Sequence, residues 1–395
     1  MRSSARSSLS GFCGCPVADL VESAEQAELR ATLRRLFGGP SACLARPEPR
    51  NDGYYDAKLW GVLAEEIGLC GLALPERYGG SGYSRADRAA ALHETGRCLL
   101  PSPFLASAVL AAETLLATGD ENVLADVLPG LSAGTTLATV AYRETPGGDR
   151  RPVHAVRDGA GWLLTGSRSF VLDGCQADLI LVPAKAESGI SLFAVDAVSA
   201  QGLSRRPMRT LDPSRPQARL DFSATPGRLA GDPGAGALAA RKGVAHATIA
   251  LAAEQAGGAE RCLEAAVDYA GMRRQFGKPI GSFQAIKHKC ADLLILVESA
   301  RSAARYAASV SSSPPTDEDL YAAAALAGAY CSAAYFRVAA ENIQIHGGIG
   351  FTWEHDAHLY FRRAKASEVM FGTPLEHRAF LARHLGLSAG PAPER

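Results

Sequence analysis

"YAGMRRQFGKPIGSFQAIKHKCADL", residues 269–293, is the stretch whose reading sets the fold. It is a helix–loop–helix corner. The helix before it ends at Arg273 and Arg274. Gly277, Pro279 and Gly281 then break the chain, and a new helix is expected from Ser282, a residue type that suits an N-cap. Arginines beside Phe276 can grip a phosphate, because guanidinium offers a planar fork of donors and a ring can pack a ribose or an adenine. The same text also fits an ordinary solvated corner, and the residues alone leave both readings open.

Outward from this corner the text is helical on both sides. Long Ala-rich stretches occupy 239–272, 283–311, 318–345 and 374–385, the pattern of closely packed bundle helices. A second corner, "ENIQIHGGIGFTWEHDAHLYFRRAK" (341–365), carries Gly347, Gly348 and Gly350. Such glycines let a backbone approach a ligand or turn its amides toward an anion, and they equally fit a plain helix C-cap. Upstream, residues 135–225 hold short apolar runs between turns, such as "WLLTGSRSFVLDG", "DLILVPA" and "ISLFAVD", and read as strands. The first third is helical again, with a helix expected over 105–128 and a Pro/Gly loop in "LPERYGGSG".

Composition narrows the function. Lys plus Arg and Asp plus Glu both number 41, so no charge excess points to nucleic acid or an anionic membrane. No apolar run reaches the ~18–20 residues of a membrane span, and none follows Arg2 and Arg6 as a signal peptide needs. A cytoplasmic protein is expected. The nine cysteines are an odd number spread along the chain and do not form a disulfide framework. Cys13 and Cys15 lack a second ligand pair, and no carboxylate pattern completes a site with His346, His355 and His358, so no metal is expected.

Taken together, "LPERYGGSG", "RRQFGKPIGSFQAIKHKCAD" and "QIHGGIGFTWEHDAHLYFRRAK" resemble the acyl-CoA dehydrogenase family over about residues 17–385. The resemblance implies an α+β fold: a helical domain over 17–134, a β-barrel or sandwich over 135–232 and a C-terminal four-helix bundle over 233–386, with tails at 1–16 and 387–395. It implies FAD as cofactor, an acyl-CoA thioester as substrate and a homo- or heterotetramer, in fatty acid or steroid metabolism. In the family a neighbouring subunit completes the flavin site. The residues this chain would contribute across such an interface are Arg273, Phe276, Ile280, Gln344, Gly347 and Gly348, with Thr373 also at the cofactor.

The half of the site that a chain builds for itself departs from the family. "RETPGGD" (143–149) is shorter than the usual flavin loop, and "FVLDG" puts Phe170 and Leu172 where the family has Trp and Thr. A leucine cannot replace a hydroxyl donor. Phe371, in "VMFGTPLEHR", falls on the proton-abstracting Glu, and Ala247 on the position a minority of members use; the neighbouring Arg becomes Thr248. A phenyl or methyl group cannot act as a general base. His246 and Glu368 are the nearby substitutes, and both read better as structural residues. The resemblance therefore implies an acyl-CoA dehydrogenase subunit without its own base, completing a partner's FAD site. Its alternatives are a flavin monooxygenase on the same fold, or an acyl-CoA dehydrogenase with a relocated base.

Overall fold

The computed structural model describes residues 21–38, 54–142, 152–159, 161–314 and 316–387. The tail 1–16, the Cys13–Cys15 pair, the loop 143–149 and residues 388–395 lie outside the described residues.

The first third is helical: α1 (Ala24–Leu36), α2 (Ala57–Gly61), α3 (Arg85–Arg97), α4 (Ala112–Leu116) and α5 (Glu121–Ser132). Both α1 and α3 begin with a capping box, Ser23 with Gln26 and Ser84 with Asp87, which satisfies the otherwise orphaned first-turn amides. The single helix expected over 105–128 is three pieces. A π-helical segment over Leu105–Ala111 runs into α4, and Gly119, with φ at +65°, breaks the chain before Asp120 caps α5.

Seven strands follow: β1 (Ala138–Val140), β2 (Val153–Asp158), β3 (Gly161–Leu172), β4 (Leu179–Ala186), β5 (Gly189–Asp196), β6 (Leu203–Met208) and β7 (Gln217–Ala230). Pairing runs β4–β2–β3–β7–β5 and back to β4, so five strands close on themselves, with β1 added to β4 and β6 to β7. Closure pairs each of these five strands on both sides, and the interior is filled by Leu164, Val182, Phe193, Val195, Leu220 and their neighbours.

The C-terminal part is built on α6 (Gly236–Met272), whose 37 residues span about 55 Å. It packs on α3, on α7 (Gln284–Ser312) and on α8 (Asp317–His346); α9 (Ala357–Glu368) and α10 (Pro374–His384) close over α8. Alanines and glycines allow these helices close contact. At the α3–α6 crossing, a β-carbon on Gly96 would lie 1.9 Å from the Glu254 carbonyl oxygen, and one on Gly257 would lie 1.9 Å from that of His93.

Two expectations about this region are corrected. Ser282 is not an N-cap: it ends a short 3-10 turn over Ile280–Ser282, and its hydroxyl donates to the Pro279 carbonyl at 2.7 Å. Helix α7 starts at Gln284, with Phe283 at its N-cap. The expected four long helices are joined by a fifth, α9, hidden in polar text because the residue that anchors it is a buried arginine, Arg363.

Candidate functional site

The first corner is formed where α6 ends. The Arg273 amide donates to the Tyr269 carbonyl at 2.8 Å, and the chain folds into a hairpin of β8 (Arg274–Gln275) and β9 (Lys278–Pro279). Its two turn residues, Phe276 and Gly277, have φ of +52° and +77°, the left-handed pair that a two-residue hairpin requires. That conformation is uncommon for a bulky residue. It leaves the Phe276 ring 91% exposed. The hairpin is tied back by Ile280, whose amide donates to the Arg273 carbonyl at 2.8 Å and whose side chain packs on the core beneath.

The second corner ends α8. Gly347 adopts φ +65°, and a β-carbon on Gly347 or Gly348 would meet nothing within 4 Å, so both backbones face open space. Gln344 is exposed in the last turn before them. The two corners are joined by packed rings. Tyr269 stacks on His346 with centroids 4.3 Å apart, and His355 meets His346 tilted at 49°, also at 4.3 Å. Phe351 (84% exposed) and Trp353 (75% exposed) stand on the same loop as His355. Arg273, Phe276, Ile280, Gln344, Gly347 and Gly348 thus sit on neighbouring corners. Exposed cations, rings and bare glycine backbones suit an anionic heteroaromatic group such as a dinucleotide.

The base positions lie elsewhere. Ala247 is fully buried in the first half of α6, 26 residues before Arg273, which at 1.5 Å per residue is about 39 Å away. Phe371 is half-buried and packs on the large helical core. Thr373 caps α10: its hydroxyl accepts from the Glu376 amide at 3.2 Å and lies 2.9 Å from the Glu376 carboxylate. The sequence-predicted residues therefore form two sets within one chain, and the length of α6 keeps them apart.

The strand "FVLDG" supplies no hydroxyl. Leu172 is buried in the helical core cluster, and its carbonyl accepts from the Thr139 hydroxyl at 2.6 Å. Phe170 sits at φ +60° with its amide on the Met208 sulfur at 3.3 Å.

Neither nearby substitute base is free for chemistry. His246 Nδ1 is 2.8 Å from Ser311 Oγ, and its Nε2 is 3.9 Å from Glu113, which also binds Arg85 and Arg88. Burial first, and the two arginines next to Glu113, push the His246 pKa down to about 4. Glu368 is paired with Lys365 Nζ at 2.5 Å.

Sequence reasoning missed two features. One is His377, in the first turn of α10. A β-carbon built on Gly328 would lie 2.7 Å from its Nε2 and 3.0 Å from the Thr248 methyl, and one on Gly372 would lie 3.1 Å from its Nε2. Burial lowers the His377 pKa, while Glu376 and a hydrogen bond to the Gly372 carbonyl oppose this. This imidazole, its pKa lowered, stands beside Gly372, the chain neighbour of Phe371, and close to Thr248, the chain neighbour of Ala247. The signal was present, since a residue one turn into a helix capped by Thr373 folds back toward that cap.

The other is a charge network behind Ala247. Glu254 lies seven residues on, on the same face of α6. It accepts from Arg363 Nη1 at 2.7 Å and from Arg215 Nη2 at 2.6 Å. Arg363 also donates to Asp212 at 2.5 Å and to Ser214 at 2.6 Å. The network fastens α9, α6 and the loop before β7. Asp173 borders it and is buried; its Oδ1 and the hydroxyl of neighbouring Tyr54 lack well-formed hydrogen bonds. Burial raises the Asp173 pKa to about 7, with Tyr54, Arg215 and Arg363 opposing.

Among the described residues no group of three or more His, Cys, Asp or Glu side chains is placed to hold a metal, and no helix is long and apolar enough to cross a membrane.

Comparison with known proteins matches both helical parts to one family. The profile "Acyl-CoA dehydrogenase, N-terminal domain" covers residues 23–135, and "Acyl-CoA dehydrogenase, C-terminal domain" covers 234–386. The chain is 38% identical over 355 residues to "Acyl-CoA dehydrogenase IpdE2" of Mycobacterium tuberculosis, across 89% of this chain and 94% of that protein. Its fold is similar to the crystal structure of the ChsE4-ChsE5 complex from the same organism, with a TM-score of 0.83 at 28% identity, covering 94% of this chain and 100% of that one. It is also similar to a variant of the Tcur3481-Tcur3483 steroid ACAD, with a TM-score of 0.81 at 30% identity, over 92% and 98% of the two chains.

Proposed function

The chain belongs to the acyl-CoA dehydrogenase family of oxidoreductases, and from that premise we propose that it is the base-lacking subunit of a two-chain acyl-CoA dehydrogenase. The observation that carries this reading is the division of its site residues. Arg273, Phe276, Gln344, Gly347 and Gly348 present an open, cationic and aromatic surface at one end of α6, while at the other end, about 39 Å away, Phe371 and Ala247 put no carboxylate at either family base position. FAD, when bound, supplies the hydride acceptor for oxidation of an acyl-CoA thioester. This chain's part is to hold it across the interface: Arg273 would face its phosphates, Phe276 would pack a ring, and the bare Gly347–Gly348 backbone would let it approach closely. The acid–base step then belongs to a glutamate on the partner. Fold similarity to chains from the ChsE4-ChsE5 complex and from a steroid acyl-CoA dehydrogenase pair supports a two-chain assembly and a bulky acyl group.

The test is the flavin content of the purified chain, alone and co-expressed with a Glu-bearing relative. The expected result is no stoichiometric flavin alone and about one per pair in the complex. A lone chain that keeps stoichiometric FAD overturns the reading.

A second reading rests on His377. A neutral imidazole beside Gly372 and Thr248 is placed as a relocated base would be. It predicts dehydrogenation by the lone, flavin-loaded chain that is lost in His377→Ala. An inactive lone chain rules it out.

A further inference from the structure

Helices α7, α8 and α10 leave a groove of about 580 Å³ on the outer face of the bundle. Ala303, Ala329 and Ala333 line it, with Leu296 and Leu381 beside them. Small side chains let another helix approach closely, and apolar ones gain by being covered. Tyr330, 37% exposed, also lines the groove. Leu294 and Ile295 on α7 and Leu375 on α10 are exposed as well. The charged residues that line the groove, among the described residues, are Arg337 and Arg378, and no carboxylate does. Arg337 is paired with Glu341 at 2.8 Å, and Arg378 stands exposed.

We propose that this groove is where the Glu-bearing partner docks, with its own bundle antiparallel to this one. Given the proposed function, on which this docking rests, the orientation follows from two places on α8. Gly328, beside His377, marks the base end, because His377 also packs on Gly372, the neighbour of Phe371. Gly347 marks the cofactor corner, 19 residues on and about 28 Å along the helix. A flavin that serves the partner's glutamate lies at the partner's base end, and it must also meet this chain's corner. In two chains of one fold, antiparallel alignment along α8 brings each base end to the other's corner. Parallel alignment brings corner to corner and leaves the flavin out of reach. The antiparallel partner therefore covers the stretch of α8 between the two places, and residues 326–337 of that stretch line the groove.

Charge selects the occupant. In a two-fold pair the same patch meets itself. A second copy of this chain would thus set the cations Arg337 and Arg378 against each other, with no carboxylate lining the groove to separate them. A partner with carboxylates on the matching face pairs with both arginines, and its apolar side chains fill the alanine floor.

The test uses the full-length chain, alone and co-expressed with a Glu-bearing relative. Tyr330→Asp and Ala333→Asp each put an unpaired charge into the groove and are expected to weaken pairing about a hundredfold or more, read as separated chains by size-exclusion chromatography with light scattering. Arg378→Glu is expected to weaken it about tenfold. Val198→Asp, at an exposed apolar residue of the β domain, is the control and is expected to pair as the native chain does. Thermal melts of the lone variants check folding, and the partly exposed Tyr330 keeps the test decisive should Ala333→Asp fail to fold. A flavin-bearing complex that forms with native affinity in Tyr330→Asp and Arg378→Glu overturns the groove as the docking site and leaves the proposed function intact. A lone native chain that dimerises, and is made monomeric by Tyr330→Asp, identifies a second copy as the occupant and overturns the assignment to the partner. A native chain that keeps stoichiometric FAD alone, or forms no pair with a Glu-bearing relative, overturns the proposed function and the docking with it.

Discussion

At the scale of single residues, buried charge dominates. Arg363 is 1% exposed and reaches Glu254, Asp212 and Ser214 at once. Removing one partner of such a network leaves uncompensated carboxylates in the interior. Arg363→Ala is expected to cost about 3–5 kcal/mol, read as a shifted denaturant midpoint. A loss below ~1 kcal/mol would mean that water already reaches the network. Asp173 gives a pH-dependent prediction. Its folded pKa, about 7, is raised above the ordinary value of 3.8, mainly by burial. The folded state therefore holds a proton that the unfolded state releases. The contribution is fully present below about pH 4 and is lost as pH rises through 7. Asp173→Asn should flatten that fall and stabilise the chain at about pH 8 by roughly 1–3 kcal/mol relative to the parent. Parallel stability curves for the two proteins would refute a raised pKa.

At the scale of elements, the α3–α6 crossing decides how the N-terminal helices meet the bundle. Gly257 admits no side chain, because a β-carbon there meets the His93 carbonyl oxygen at 1.9 Å. Gly257→Ala gains about 1 kcal/mol of helix propensity and loses more to the backbone clash, for a net loss of about 2 kcal/mol. Gly271, near the end of the same helix, has nothing within 4 Å of its would-be β-carbon. Gly271→Ala is therefore the matched control, expected to raise the melting temperature by the propensity term alone. If both substitutions behave alike in thermal melts, the helices are not in contact at Gly257. Small residues along α6 thus serve helix packing first, and the helix they permit then fixes the distance between the two sets of site residues.

At the scale of the whole molecule, the length of α6 separates the corner proposed to face the cofactor from the positions of Phe371 and Ala247. Restoring only the carboxylate is then insufficient. Phe371→Glu in the lone chain is expected to give no acyl-CoA dehydrogenation, assayed with added FAD and an artificial electron acceptor, because Leu172 still buries the strand that would meet the flavin. Activity gained by this variant would show that the base was the sole deficiency. In the complex, Arg273→Ala should weaken FAD binding by about 1–3 kcal/mol, as for loss of one charge-assisted contact. Unchanged flavin affinity there would refute donation across the interface.

The sequence by itself determined the α–β–α order, the four long Ala-rich helices to within a few residues, both glycine-bearing corners and the apolar residues at Phe371 and Ala247. These are written in local signals: periodicity, helix breakers and residue chemistry at one position. The tertiary structure decided the rest. It placed α9 by burying Arg363, put His377 beside Gly328 and Gly372, took His246 into a cluster with Glu113 and Ser311, and stacked Tyr269 on His346 with His355 tilted against it. Each of these depends on partners distant in the chain or on the detailed turn between neighbours. A polar residue in a sequence carries no mark of whether it will meet water or a buried counter-charge, since only packing removes the water.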